Sequence, residues 1–214
     1  VEFLIHKAHG FATKLHPIAA LTQGSKGAEM AELYDMQQSG ALAFGDYKRP
    51  IENDKLMKIS LLYAQNFDGL IVSFPKNNAI AGEGIAHEGV NSTRLGLKGI
   101  PALAEELQIA RDLFLLEYTG GKLHIPTISS AKSVDLIQKA KKNGLQVSCS
   151  VTAHHLTLTD HELHEFDSNY KTNPPLRTNA DCKALQKGIK TGVIDIITSD
   201  HNPIDVEHKK VEFS

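Results

Sequence analysis

The stretch "KLHIPTISSAKSVDLIQKAKKNGLQVSCSVT", residues 122–152, reads as a strand, a helix and a second strand in succession. Its ends, 122–129 and 145–152, are short apolar segments. The middle part, 130–144, carries apolar residues at helical spacing and ends in Gly144, a residue that often follows helices. A helix linking two strands in this way returns the chain to the same edge of a sheet, so the strands pair in parallel. The unit predicts an α/β fold.

The same alternation of strand and helix patterns extends along the chain. Further strand candidates lie at 15–21, 41–46, 69–74 and 193–200, and further helix candidates at 27–40, 53–66, 100–120 and 179–192. Six strands without a G-x-G-x-x-G loop do not favour a dinucleotide-binding sheet, and a (β/α)8 barrel requires two more strands. If the fold is a barrel, it is incomplete.

The composition narrows the possible functions. The chain has 214 residues, of which 41% are hydrophobic, and its 23 basic and 25 acidic side chains nearly cancel. This balance gives no indication of a nucleic-acid partner or of a membrane surface bound by charge. Two cysteines, Cys149 and Cys182, are too few for a disulfide framework, and no signal-like segment opens the chain. We therefore predict a cytoplasmic protein, and the helical start without a Met predicts a fragment.

Candidate site residues lie in and beside two long segments, 75–99 and 153–178, which follow the carboxyl ends of strands. Barrel enzymes build substrate sites there. Asp200, at the end of "VIDIITSD", is either a ligand or general base at a strand end, or a residue that caps a turn. His154 and His155 are adjacent and should point to opposite sides of an extended segment, so at least one is expected to be structural.

Three motifs in close succession carry a family resemblance: "VTAHHLTLTD", "FDSNYKTNPPLRT" and "IDIITSDHNP". They resemble dihydroorotase, of the amidohydrolase superfamily, whose members are metal-dependent (β/α)8 barrels. "HPIAALTQG", "GALAFGD", "ARDLFLLEYTGGKLHI" and "SVDLIQKAKKNGLQV" extend the resemblance over nearly the whole chain. It implies one partial barrel domain, 1–214, that covers roughly strands three to eight. The first two strands, with a His-x-His ligand pair, and a flanking β-sandwich would then lie outside this chain.

Position by position, the resemblance implies a degenerate metal site. The family pattern Ser/Thr-Asp-Asp-Gly, with its second Asp on the metal, places Tyr47 at a ligand position. The family pattern His-Cys-Glu corresponds to Phe74-Pro75-Lys76, so Phe74 takes the place of its histidine ligand. The pattern His-Val-Ser corresponds to Thr127-Ile128-Ser129, so Thr127 takes the place of another. Asp200 matches the aspartate that binds metal and acts as the catalytic base, and Asn173 matches a substrate-binding position. Zinc, the family's metal, is therefore expected to bind weakly here or not at all.

Three hypotheses follow from this comparison. In the first, the protein no longer hydrolyses the cyclic amide of dihydroorotate. It serves instead as a scaffold that binds aspartate transcarbamoylase or a second copy of itself. In the second, the full-length protein is an active amidohydrolase with an unusual metal set that includes Asp200. In the third, the chain is a metal-free small-molecule binding module that uses Asn173, Arg177 and Asp200 as polar contacts.

Overall fold

The computed structural model describes residues 1–209 and 213. Six short strands form the main sheet: β1 (Ile18–Ala19), β2 (Ala43–Phe44), β3 (Leu70–Val72), β6 (Lys122–Ile125), β7 (Val147–Thr152) and β8 (Ile196–Thr198). Two more, β4 (Ala86–His87) and β5 (Gly99–Ile100), form a separate parallel pair. The main sheet is parallel throughout, in the order β1-β2-β3-β6-β7-β8. Each of its strands lies inside a predicted segment, so the α/β class and the parallel pairing are confirmed.

Helices follow the strands in the predicted order. The described part of the chain forms α1 (Glu2–Ala8), α2 (Leu33–Gln38), α3 (Asp54–Ala64), α4 (Asn78–Ala81), α5 (Val90–Leu95), α6 (Leu103–Thr119), α7 (Ala131–Lys142), α8 (Asn179–Lys190) and α9 (Val206–Lys209). The five predicted helices correspond to α2, α3, α6, α7 and α8, and the helical pattern at the start of the chain forms α1. No helix in this part of the chain combines the length and apolar character needed to cross a bilayer.

Side-chain caps explain where the helices around the sheet begin. The side chain of Asn53 accepts a hydrogen bond from a backbone N–H of α3, and Ser130 does the same for α7. Thr178 and Asp181 form a reciprocal capping box at the start of α8. Each cap satisfies a backbone donor that the first helical turn leaves without a partner. Gly144, which was predicted to follow a helix, has the positive φ that such a position requires.

The two faces of the sheet differ in polarity, as the strand β6 shows. Leu123 and Ile125 are fully buried in the hydrophobic core that includes residues of α3, α6 and α7. His124 lies between them and points to the other face, because successive side chains in a strand alternate. There its ring nitrogens lie 2.8 Å from Ser148 Oγ and 3.2 Å from Ser150 Oγ of β7. The helices therefore cover an apolar face, and at β6 and β7 the opposite face carries polar groups.

The two long segments contain short elements that periodicity did not predict. The first, 75–99, forms α4, β4 and α5 and runs into β5, while the second, 153–178, forms three 3₁₀ turns at 154–156, 160–165 and 168–170. Strands of two residues are too short to give an alternating pattern. Among the described residues, β1 pairs only with β2, and β8 pairs only with β7. The sheet is therefore open, as predicted for an incomplete barrel.

Candidate functional site

A cavity of about 750 Å³ lies at the carboxyl ends of the strands. Its walls include Lys48 after β2, Lys76 after β3, Asn173 in the segment 153–178 and Asp200 after β8. Parallel strands present their carboxyl ends at one edge of a sheet, so residues far apart in sequence meet there. The structure therefore has a cavity where the sequence predicted a binding site.

Three positions at the strand ends share an unusual backbone conformation. Tyr47, Thr127 and Asp200 have φ values of 55°, 50° and 49°, in the left-handed region. This region is uncommon for residues other than glycine, and for a β-branched residue such as Thr127 it is an outlier. Such strain costs on the order of 1–3 kcal/mol per residue and tends to cluster at functional sites. All three residues, together with Phe74, line an adjoining cavity of about 370 Å³.

The side chains at these positions are poor metal ligands. Tyr47 is 61% exposed, Phe74 is 3% exposed, and the buried hydroxyl of Thr127 has no hydrogen-bond partner among the described residues. A phenyl ring has no lone pair to donate, and neutral hydroxyls bind zinc weakly compared with imidazole or carboxylate. The structure thus brings together the four positions that the resemblance assigned to metal, but only Asp200 offers a carboxylate.

The carboxylate of Asp200, which follows β8, is paired with a lysine that follows β2. Lys48 Nζ lies 2.7 Å from Asp200 Oδ2, and the two side chains are 23% and 12% exposed. The same ammonium lies 5.7 Å from the centroid of the Tyr47 ring. This charge-assisted contact shows that Asp200 faces the cavity, whereas a turn-capping aspartate would accept a hydrogen bond from a nearby backbone N–H.

Asp46, the neighbour of Tyr47, faces away from this site. Its buried carboxylate accepts hydrogen bonds from the backbone N–H groups of Leu21, at 2.9 Å, and Thr22, at 3.0 Å, and from the Thr22 hydroxyl. Adjacent residues at a strand end point in opposite directions. Asp46 therefore stabilises the loop after β1 and does not replace the missing ligand at position 47.

His155 is a structural residue. It is buried, its Nδ1 lies 2.5 Å from Thr152 Oγ1, and its Nε2 lies 3.2 Å from the carbonyl oxygen of Pro175. Burial, with the neighbouring His154 second, lowers the pKa of His155 to about 3. The imidazole is therefore neutral, donates from Nε2 to the carbonyl and accepts from the Thr152 hydroxyl. This outcome confirms that at least one of the two histidines is structural.

His154 belongs to the wall of the larger cavity. The expectation that the two histidines point to opposite sides is wrong, because β7 ends at Thr152 and both lie on a 3₁₀ turn with ring centroids 4.6 Å apart. Burial lowers the pKa of His154; nearby Asp200 raises it and Lys48 lowers it. A neutral imidazole therefore lies beside the Lys48–Asp200 pair.

Asn173 and Arg177 occupy different environments, although both come from the "NPPLR" motif. Asn173 lines the cavity together with Asp200. Arg177 is 2% exposed and donates to Ser129 Oγ at 3.0 Å and to the carbonyl oxygen of Ile100 at 2.8 Å. The prediction that Arg177 contacts a ligand in the pocket is therefore wrong, because internal partners engage its guanidinium.

Lys48 and Lys76 had no predicted role. Their position in the sequence was the available signal for a place at the site. Lys48 directly follows Tyr47 after β2, and Lys76 lies two residues beyond Phe74 after β3. Burial lowers the pKa of Lys76, and no carboxylate of the described residues lies within 4.0 Å of its ammonium. Which carboxylate a lysine meets depends on the tertiary fold, so the pairing of Lys48 with Asp200 had no local signature.

Comparison with known proteins gives the family. The family model described as dihydro-orotase-like matches residues 4–133, more than half of the chain. The chain belongs to the dihydro-orotase-like family. The dihydroorotase of Pelotomaculum thermopropionicum is 45% identical over 202 residues, covering 94% of this chain and 47% of the relative. That of Ruminiclostridium cellulolyticum is 45% identical over 215 residues, covering 100% and 50%. The chain thus spans about half the length of these relatives.

Solved structures support the barrel fold. The L-hydantoinase (dihydropyrimidinase) from Arthrobacter aurescens superposes with a TM-score of 0.73 at 22% identity, covering 89% of this chain and 44% of the hydantoinase. The D-hydantoinase (dihydropyrimidinase) from Thermus sp. gives a TM-score of 0.69 at 19% identity, covering 96% and 47%. The six-stranded sheet therefore has the α/β fold of about half of each of these hydantoinases.

Dihydroorotases are generally zinc-dependent, and the residues of this site do not fit a zinc ion. Within residues 1–209 and 213, no group of three or more His, Cys, Asp or Glu side chains could hold a metal. At the four ligand positions the potential donors are two hydroxyls and Asp200, whose Oδ2 already accepts from the Lys48 ammonium. Two imidazoles lie nearby: His154 lines the larger cavity, and the ring nitrogens of His124 contact the hydroxyls of Ser148 and Ser150. A bound cation would have to displace this ammonium or lie beside it, against electrostatic repulsion.

Proposed function

We propose that this dihydroorotase-family chain has lost zinc-dependent hydrolysis and that the full-length protein acts as a noncatalytic partner in an assembly. The observation that carries the proposal is the Lys48–Asp200 pair, at 2.7 Å, among three substituted ligand positions. By family resemblance, the partner is aspartate transcarbamoylase or a second copy of this protein. The chain's part in the full-length protein is strands three to eight of one barrel domain.

The chemistry of the site supports this loss of activity. Hydrolysis of a cyclic amide such as dihydroorotate at neutral pH requires an activated water, which the family obtains by lowering the pKa of water bound to zinc. An ammonium offers no open coordination position, and it occupies the Asp200 oxygen Oδ2 that a metal ion or a water molecule would contact. Asn173 keeps its proposed role as a contact for a small polar ligand.

The cellular setting is part of the proposal. Cys149 and Cys182 are both buried free thiols, and burial raises the pKa of Cys149 to about 12. Unpaired buried cysteines are typical of proteins from a reducing compartment. We therefore propose a cytoplasmic location, which is also where pyrimidine synthesis would bring the protein together with its partner.

The decisive experiment measures zinc and ring opening on the full-length protein. We expect well under one zinc per chain by elemental analysis and no ring opening of dihydroorotate, with Asp200→Asn indistinguishable from the wild type. The dihydroorotase of Ruminiclostridium cellulolyticum, treated identically, is the positive control. Stoichiometric zinc together with ring opening that Asp200→Asn abolishes would establish the alternative, an active amidohydrolase with an unusual metal set.

A further inference from the structure

The cavity at the strand ends is lined by more positive than negative charge. Lys48, Lys76, Lys171 and Lys209 line it, and Asp200 is the acidic residue among the described residues of its wall. At about 750 Å³ it has a volume typical of small-molecule sites. The charge of the whole chain is nearly balanced, at −2, so this local excess of lysine is a property of the cavity.

The partners of these lysines leave most of the charge uncompensated. Lys48 pairs with Asp200, so the single carboxylate is already neutralised. Lys171 Nζ donates to the carbonyl oxygen of Phe213 at 2.8 Å, and Lys209 Nζ to the amide oxygen of Asn169 at 3.1 Å. Both acceptors are neutral. In the described part of the chain, three ammonium groups therefore face or border the cavity without a carboxylate partner.

Lys76 differs from the other three lysines in its contacts. It is half-buried, and no hydrogen bond to its ammonium occurs among the described residues. A partly desolvated ammonium without a partner is unfavourable, and a bound anion would relieve this cost. By resemblance, Lys76 stands where the family motif His-Cys-Glu has a glutamate, so the sign of the charge at this strand end is reversed.

We propose that the cavity binds a small anion carrying at least two negative charges, with Lys76 as its central contact and Lys48 as the residue that neutralises Asp200. Lysine ammonium groups bind phosphate and carboxylate oxygens as point charges, and no arginine lines the described wall to favour a planar carboxylate. The shared ligand chemistry is thus a phosphomonoester or a dicarboxylate. Asn173 and Thr172 supply neutral polar groups for the rest of the ligand.

The inference rests on the proposed function, because it requires that Asp200 is held by Lys48 and not by a metal ion. Isothermal titration calorimetry on chelator-treated full-length protein at low ionic strength would use inorganic phosphate, malonate and acetate. We expect phosphate or malonate to bind at least about tenfold more tightly than acetate, with affinity falling as NaCl is added. The preferred dianion distinguishes a phosphate ligand from a dicarboxylate. No binding of either dianion would overturn the proposal.

Variants at Lys76 test the assigned contact. Lys76→Met should weaken dianion binding by about tenfold or more, because it removes a charged hydrogen-bond donor. Lys76→Arg keeps a charged donor and should retain most of the affinity. Lys139→Met removes an exposed lysine of α7 and should change nothing. If Lys76→Met, folded by circular dichroism, binds as tightly as the wild type, the proposal is wrong.

Variants of the pair test the role of Lys48. Lys48→Met leaves the Asp200 carboxylate to repel the anion and should weaken binding, whereas Asp200→Asn should strengthen it. In the Asp200→Asn background, Lys48→Met should weaken binding much less, because no carboxylate is left for Lys48 to neutralise. If Lys48→Met weakens binding by the same factor in both backgrounds, the assigned role is wrong. If zinc is absent and no dianion binds, this inference is wrong, but the proposed function is not contradicted. Stoichiometric zinc would instead remove the proposed function on which it rests.

Discussion

Replacing Arg177 by leucine is expected to lower the free energy of unfolding by about 3–5 kcal/mol, the range for breaking a buried ion pair. Arg177 and Glu105 are both 2% exposed, and Arg177 Nη2 lies 3.9 Å from Glu105 Oε2. Glu105 also accepts hydrogen bonds from the backbone N–H groups of Ser129, at 2.8 Å, and Ser130, at 3.0 Å. Without Arg177, Glu105 becomes a buried charge with no cationic partner, and the carbonyl oxygen of Ile100 loses a donor.

Urea denaturation of the full-length protein, followed by far-ultraviolet circular dichroism, would measure this loss. Arg94→Leu changes an exposed arginine of α5 and should alter stability by less than about 0.5 kcal/mol. Arg177→Leu combined with Glu105→Gln should cost less than the two single changes added together, because the pair is coupled. A loss below about 1 kcal/mol for Arg177→Leu would show that the network contributes little.

The sheet and its helices were predictable because their signals are local. The unit at 122–152 shows why. Strands β6 and β7 carry apolar residues directed at the core, Ser130 caps the start of α7, and Gly144 follows its end. These patterns follow from side-chain alternation and capping, which depend on near neighbours in sequence. The pair β4 and β5 was missed, since each strand has two residues and owes its place to tertiary contacts.

The location of the candidate site was predictable, but its present chemistry was only partly so. Residues at the carboxyl ends of parallel strands converge whatever their identity, so Tyr47, Thr127 and Asp200 were correctly placed around one site. The Lys48–Asp200 contact joins residues 152 positions apart and depends on how a long side chain lies across the cavity. Likewise, nothing in the "NPPLR" motif distinguishes the cavity-lining Asn173 from the buried Arg177.

Asp112→Asn is expected to change the pH dependence of stability. Asp112 on α6 is 1% exposed; its Oδ2 accepts from Ser73 Oγ at 2.7 Å, and Arg111 Nη2 lies 2.8 Å from its Oδ1. Burial is the main influence and outweighs Arg111 and Ser73, raising the pKa of Asp112 from 3.8 to about 6. In the folded protein, the ionised form is therefore disfavoured by about 3 kcal/mol relative to the unfolded chain.

The direction of the effect follows from proton linkage. Below pH 3.8 both states carry the proton, whereas between about pH 4 and 6 only the folded state retains it, so this contribution falls as pH rises through that interval. Asparagine has no proton to lose. The stability of Asp112→Asn relative to the wild type should therefore increase by up to about 3 kcal/mol between pH 4 and pH 7.5.

Urea titrations at these two pH values would measure the change. Asp54→Asn is the matched control, because Asp54 also pairs with Arg111, at 2.7 Å, but its side chain is 72% exposed. We expect the control's stability relative to the wild type to change by less than about 1 kcal/mol between the two pH values, as for exposed ion pairs. If Asp112→Asn differs from the wild type by the same amount at both pH values, Asp112 titrates alike in the folded and unfolded chains. In that case, Arg111 and Ser73 offset the burial of the carboxylate.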